Sequence, residues 1–315
     1  MSKLILAIPS KGRLKEQCES YLSESGLKLK QVGGDRGYAA ELHGIEGVEI
    51  RLLSASEIAR NVISGDVHLG VTGEDLLRET APDLDSVVHI LKPLGFGFAR
   101  LIVAAPQSWI DVNSMADLDA VGAIHQERTG RRMRVATKYM RLAREFFATK
   151  GVGHYRIVES AGATEGAPAS GSAELIVDIT TSGATLAANG LKIIADGQIL
   201  ASQAVLGASM RADWSDEVRE TLRTLLDYIE ARQRAKALKT LRFAGAVGTK
   251  TMNAIATAHE LHIESQGVAF CPNGQATSAA RAIAAAGGGR VGVYDPEFVF
   301  EAENPVFERF VSRLK

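Results

Sequence analysis

From Glu174 to Leu191 the chain reads ELIVDITTSGATLAANGL. An apolar run, Leu175-Ile176-Val177, ends in an acid, Asp178. A turn of hydroxyls and one glycine follows, Thr180-Thr181-Ser182-Gly183-Ala184-Thr185, and then a helix-compatible Leu186-Ala187-Ala188-Asn189. A buried strand that feeds a small-residue turn at a helix N-terminus can hold an anion, because the first N–H groups of the helix have no internal partner and its dipole favours negative charge. Gly183 allows close backbone approach, and the hydroxyls add donors. Asp178 sits where a carboxylate would meet sugar hydroxyls or a bound Mg²⁺. A phosphorylated ribose fits all three features; the plainer alternative is a Ser/Thr helix cap.

Other strand-end turns carry compatible chemistry. Lys11, Gly12 and Arg13 put two cations beside a glycine, and the arginine offers a bidentate fork to a pyrophosphate. Gly73-Glu74-Asp75 could meet sugar hydroxyls or cap the next helix. Arg134, Thr137 and Lys138 bring positive charge to the start of another helix. Glu165-Gly166-Ala167-Pro168 could supply a second acid. His259 and His262 have i, i+3 spacing but no acid or cysteine to complete a metal set, which predicts helix-surface histidines. No G-x-S-x-G, Walker A lysine or G-x-G-x-x-G after a strand occurs, so hydrolase triads and dinucleotide dehydrogenases find no support.

Composition bounds the rest. Over 315 residues, 46% hydrophobic and 23% charged side chains describe an ordinary globular protein of two or three domains. A net charge of −1 argues against a general polyanion binder such as a nucleic-acid protein. Cys18 and Cys271, far apart, form neither a metal cluster nor a disulfide framework, which fits a reducing cytoplasm. The opening MSKLILAIPSKGRLKEQ reads as a strand and turn, not a signal peptide, and no run approaches a membrane span.

Strands are expected at Leu4–Ile8, Val48–Leu53, Val67–Val71, Arg100–Ala105, Arg134–Thr137, Tyr155–Val158 and Leu175–Ile179. Helices are expected between them at Leu14–Leu22, Ser56–Ile63 and Tyr139–Lys150. This alternation predicts α/β lobes with a mostly parallel sheet and a cleft at the strand ends. From Asp213 to Leu241 the pattern is helical, Trp214, Val218, Leu222, Leu225 and Ile229 forming its apolar stripe. The basic stretch Ala231–Lys236 reads as a solvated helix face. After Phe243 a small α+β module begins, with elements at Met252–Leu261, Gly267–Cys271, Thr277–Ala286, Arg290–Val293 and Pro305–Leu314.

Six segments in order, AIPSKGRL, SGDVHLGVTGEDLL, LGFGFARLIVAAP, RVATKY, the Glu165–Pro168 EGAP and VDITTSGATLAANGL, give the chain a resemblance to the ATP phosphoribosyltransferases that open histidine biosynthesis. The resemblance implies a two-lobed, periplasmic-binding-protein-like catalytic core. Residues 1–94 would form lobe I, completed by about 187–242; residues 95–186 would form lobe II, and 244–315 a regulatory or assembly module. Phosphoribosyl pyrophosphate (PRPP) would lie on lobe II. Thr181, Ser182, Gly183, Ala184 and Thr185 would cradle its 5′-phosphate, Asp178 would bind the ribose and Glu165 would lie near the sugar. Lys11 and Arg13 would be the catalytic cations. Gly12, Gly73, Glu74, Arg134, Thr137 and Lys138 are the candidates on the ATP side. Mg²⁺ is implied as cofactor, held mainly by substrate with Asp178 as the protein's candidate ligand. A homo-oligomer, dimer or hexamer, and inhibition by histidine through the tail are implied as well.

One departure stands out. Where the family shows Arg-x-x-Asp-Ile/Val-Pro, this chain has Ser54-Ala55-Ser56-Glu57-Ile58-Ala59, which leaves open whether Arg51 takes the place of the missing arginine. A non-catalytic two-lobed binding or sensor protein is the alternative reading of the same fold.

Overall fold

A computed structural model describes residues 3–32, 39–160 and 162–314. The first lobe opens with β1 (Leu4–Pro9), α1 (Gly12–Glu24), β2 (Lys28–Val32), β3 (Ala39–His43), β4 (Val48–Leu53), α2 (Ala55–Ser64), β5 (Leu69–Gly73), α3 (Glu74–Thr80) and β6 (Val88–Pro93). The second contains β7 (Ala99–Pro106), α4 (Met115–Thr129), β8 (Met133–Thr137), α5 (Met140–Thr149), β9 (Tyr155–Glu159), β10 (Leu175–Thr180), α6 (Ala184–Ala188) and β11 (Leu191–Ser202). The chain then returns through β12 (Ala204–Ser209) and α7 (Asp216–Ala237). The tail comprises β13 (Leu238–Phe243), α8 (Thr249–His259), β14 (His262–Ser265), β15 (Val268–Pro272), α9 (Ala276–Ile283), β16 (Val291–Tyr294) and α10 (Pro305–Arg313).

Two sheets define the lobes, in the orders β2-β3-β4-β1-β5-β12-β6 and β11-β7-β10-β8-β9. Both are mixed. The expectation of a mostly parallel sheet is corrected: β1 runs parallel to β4 and β5, and β8 to β9 and β10, whereas the β2-β3-β4, β5-β12-β6 and β10-β7-β11 pairings are antiparallel. The central strands β1, β8 and β10 are short apolar runs buried on both faces, as helix-covered strands require. The chain therefore has a two-lobed, mixed α/β architecture.

Two crossings join the lobes and lie side by side. The Leu94 N–H donates to the Ala204 carbonyl, and the Ala204 N–H to that of Phe96, each at 2.9 Å. The return to lobe I thus falls at Gln203, later than the expected residue 187, because β11 pairs along β7 in the second sheet. A bulge interrupts β11 near Asp196-Gly197. A Cβ at Gly197 would meet the Cβ of Ile194 at 2.9 Å, so the bulge requires glycine.

The tail is corrected in two ways. The helix expected to reach Leu241 ends at Ala237, and β13 then takes a central place in a third, antiparallel sheet, β14-β15-β13-β16. That sheet begins before residue 244. Its apolar face meets α8 and α9 around Leu241, Met252, Cys271, Ala279 and Ile283. The final helix α10 leaves this module and returns to lobe I. Val306, Phe307 and Phe310 join the lobe I core, and Phe310 packs edge-on against Trp214.

The connecting strap is held by α7. Val299 N–H donates to the Ala231 carbonyl, Arg232 and Arg234 donate to the carbonyls of Glu297 and Val299, and Arg234 pairs with Glu301 at 3.1 Å. The basic stretch is a clamp for the tail, not a solvated face. His259 and His262 do not share a helix face, because α8 stops at His259 and a left-handed Glu260 turns the chain into β14. No described helix is long and apolar enough to cross a membrane.

Candidate active site

The phosphate-type turn follows β10 as expected. Gly183 is the N-cap of α6 with φ +81°, a left-handed conformation that costs other residues about 1–2 kcal/mol. The helix has only five residues, so its dipole is small and individual donors must attract the anion. Those donors are pre-arranged. Thr180 Oγ1 accepts the Gly183 N–H at 2.9 Å, Ser182 Oγ accepts the Ala184 N–H at 3.3 Å, and Thr181 Oγ1 donates to the Phe98 carbonyl at 3.2 Å. A phosphate would exchange these local bonds for its own oxygens. An added Cβ at Gly183 meets only Ile193 Cδ1, at 3.7 Å, so backbone conformation rather than crowding demands the glycine in this state.

A cleft of about 350 Å³ opens over the turn. Its lining brings together Arg13 from lobe I and Glu165, Asp178, Thr181, Ser182 and Thr185 from lobe II. Burial pushes the Asp178 carboxyl up. The Ile179 N–H, bound to its Oδ1 at 2.8 Å, and the Lys138 ammonium pull it down, Glu165 pushes it up again, and the net direction is upward. Two acids in one cleft therefore favour a cation or sugar hydroxyls between them. Among the described residues no group of three or more acids, histidines or cysteines could hold a metal alone.

Other expected site residues have different places. Lys11 and Gly12 share Arg13's turn, Lys11 as the exposed N-cap of α1. Gly183 and Ala184 belong to the phosphate-type turn itself. Lys138 lies near enough to act on Asp178. Thr137 is fully buried, its Oγ1 accepting the Tyr139 N–H at 2.9 Å, so it positions the Lys138 turn instead of touching a ligand. Gly73 and Glu74 lie at the hinge: the Glu74 N–H donates to the Gln203 carbonyl at 3.0 Å, and its carboxylate pairs with Arg78 at 2.6 Å. Arg134 stands at the opposite end of β8, clamped to Glu174 at 2.6 Å, because its strand leads away from the cleft at that end. Ser54 caps α2 in a reciprocal capping box with Glu57, and Arg51 is engaged by Glu49 at 2.8 Å and the Asp66 carbonyl. In this structure Arg51 is thus held by partners within lobe I.

Beside the cleft lies a network that sequence reading missed. Tyr139 Oη donates to Asp75 Oδ2 at 2.5 Å, Ser202 Oγ donates to Asp75 Oδ1 at 2.7 Å, and all three residues are buried. Burial, the Asp75 charge and the hydrogen bond all push the Tyr139 phenol above its ordinary range, so it remains the donor. Next to it the Glu79 carboxylate accepts the N–H groups of Arg141 and Leu142 at 2.9 and 3.0 Å. Together these contacts latch α3 of lobe I onto α5 of lobe II.

The sequence profile of the ATP phosphoribosyltransferase family matches residues 54–231. The ATP phosphoribosyltransferase of Caulobacter vibrioides (strain NA1000 / CB15N) is 54% identical over 99% of this chain and 98% of its own length. That of Rhodopseudomonas palustris (strain HaA2) is 49% identical over the same shares. Among solved structures, an ATP phosphoribosyl transferase (HisG:HisZ) complex from Thermotoga maritima superposes with a TM-score of 0.54 at 24% identity, covering 72% of this chain and 96% of that one. These matches remove the non-catalytic sensor reading. By full-length identity, the chain belongs to the ATP phosphoribosyltransferase family, the transferases that join ATP to PRPP in the first step of histidine biosynthesis.

Proposed function

We propose that the cleft between Arg13 and the Thr181–Thr185 turn is where this transfer occurs. The turn cradles the 5′-phosphate of PRPP, Asp178 accepts the ribose hydroxyls, and Glu165 lies beside the sugar. Arg13 and Lys11, with Lys138 opposite, face the triphosphate and the departing pyrophosphate. Enzymes of this class use a divalent metal; here we assign Mg²⁺, held mainly by the substrate phosphates with Asp178 and Glu165 as the protein's carboxylates. Two acids, with no third ligand beside them among the described residues, suit an ion that keeps waters and substrate oxygens. When bound, the ion supplies charge neutralisation to the leaving group.

Adenine N1 of ATP attacks ribose C1, the C1–O bond to pyrophosphate breaks, and pyrophosphate leaves with the bonding pair. No covalent nucleophile is needed. The protein's work is to align two substrates and to meet developing negative charge with fixed cations and N–H donors. The observation that carries this reading is the convergence of a lobe I arginine with two lobe II acids and the hydroxyl turn in one cleft. Regulation by histidine through the C-terminal module, assembly as a homo-oligomer and a cytoplasmic setting complete the proposal. The test is pyrophosphate release with both substrates and with each alone. Release only when ATP and PRPP are both present is expected; release from PRPP alone at the same rate would overturn the transfer reading.

A further inference from the structure

Arg134 leads to a second concavity, of about 450 Å³, at the far end of lobe II. His125, Arg131, Arg132, Arg134, Arg156 and Glu174 line it. They come from α4, the turn after it, the start of β8, the edge strand β9 and the residue before β10. Glu174 is four positions before Asp178 along β10, about 13 Å at the strand rise, so this pocket and the catalytic cleft sit at opposite ends of one strand.

Four arginines and a single carboxylate line the pocket, and Arg134 already engages that carboxylate through its Nε, Nη2 and backbone N–H. Burial raises the Glu174 pKa, but the Arg134 hydrogen bonds and the Arg134 and His125 charges outweigh it and hold the group ionised. Arg131, Arg132 and Arg156 form no ion pair among the described residues. Three uncompensated like charges in one hollow repel one another, and an anion entering it relieves that repulsion. The hollow has a fixed frame. Gly130 ends α4 with φ +67°, and Thr129 Oγ1 accepts the Arg131 N–H at 3.2 Å while donating to the His125 carbonyl at 2.7 Å.

We propose that this arginine pocket is a second anion site, distinct from the catalytic cleft, for a small molecule carrying two or more phosphoryl groups. Guanidinium forks match phosphate oxygens in pairs, and three of them exceed what one phosphate needs. The lining holds no Phe, Tyr or Trp, and the proposal rests on recognition of the phosphates. The ligand is either a free pyrophosphate-type anion or the polyphosphate tail of a nucleotide. The proposal does not depend on the assignment of the cleft.

The experiment is calorimetric titration of inorganic pyrophosphate, and separately of ADP, into the full chain and into Arg132→Gln/Arg156→Gln, with sulfate as the control anion. One binding equivalent should vanish or weaken at least tenfold in the variant, with turnover within twofold of the parent. Preference for pyrophosphate would identify a free anion, and preference for ADP a nucleotide tail. Arg131→Gln alone provides a second, milder variant should the double one fold poorly, and it should weaken the same equivalent. Unchanged isotherms in folded variants, or sulfate bound as tightly as pyrophosphate, would overturn the proposal, because exposed arginines attract any anion weakly.

Discussion

Asp178 shows why a site can be read from a few adjacent residues. Its apolar strand, its position at the strand end and the hydroxyl turn after it are contiguous, so local chemistry alone marks them. The residue also works against the unliganded fold. Its folded-state pKa lies above the ordinary carboxylate value, so the folded protein holds the proton more tightly than the unfolded chain. Its contribution to stability is present in full below that ordinary value and is lost as pH rises through the folded-state pKa. Asp178→Asn should therefore raise the melting temperature of the ligand-free protein at pH 7 while lowering kcat/KM by about 100-fold or more. Thermal scans at pH 7 and pH 4 check the sign: the gain should shrink at the lower pH. A variant less stable than the parent at pH 7 would mean that the carboxylate is a structural anchor.

Legibility falls off as the contacts become longer in range. Strand β4 was readable to the residue, and β10 nearly so, because an apolar run meets a polar turn at its end. Strands β2, β3, β6 and β12, which make the sheet mixed, carry weaker patterns and were missed, and β11 is disguised by its bulge and irregular burial. In the segment after α7 no glycine or proline marks the end of the helix, although the chain is extended from Leu238. The latch was out of reach, since Asp75 meets Tyr139 and Ser202 across 64 and 127 positions of sequence. Its importance is directional: it fixes α5, and with it the Lys138 turn, against the hinge. Tyr139→Phe leaves the buried Asp75 with one donor fewer and should cost about 1–3 kcal/mol of stability. Because catalytic alignment is sensitive to about 1 Å, kcat should also fall about tenfold. PRPP affinity, which the proposed site assigns mainly to the lobe II turn and Asp178, should fall by less than kcat. Equal losses in PRPP affinity and kcat would point to a general collapse of lobe II.

At the scale of the molecule, the chain is more tightly integrated than a core with an appended module. The third sheet starts directly from α7, and α10 returns to complete the lobe I core. Phe310, fully buried against Trp214 and stacked near His89, is the clearest case. Phe310→Ala should destabilise the protein by about 3–5 kcal/mol in chemical denaturation. A cost under about 1 kcal/mol would show the tail to be separable after all. On the proposed function, the latch and the paired hinge crossings hold lobe I's Arg13 over the hydroxyl turn of lobe II. The most direct test is to measure PRPP binding and single-turnover rate in Arg13→Ala. PRPP affinity should stay within about threefold while the rate falls by about 10²–10³, the cost of one preorganised donor at developing charge. A rate within twofold of the parent in the folded variant would contradict the claim that the two lobes together build the active site.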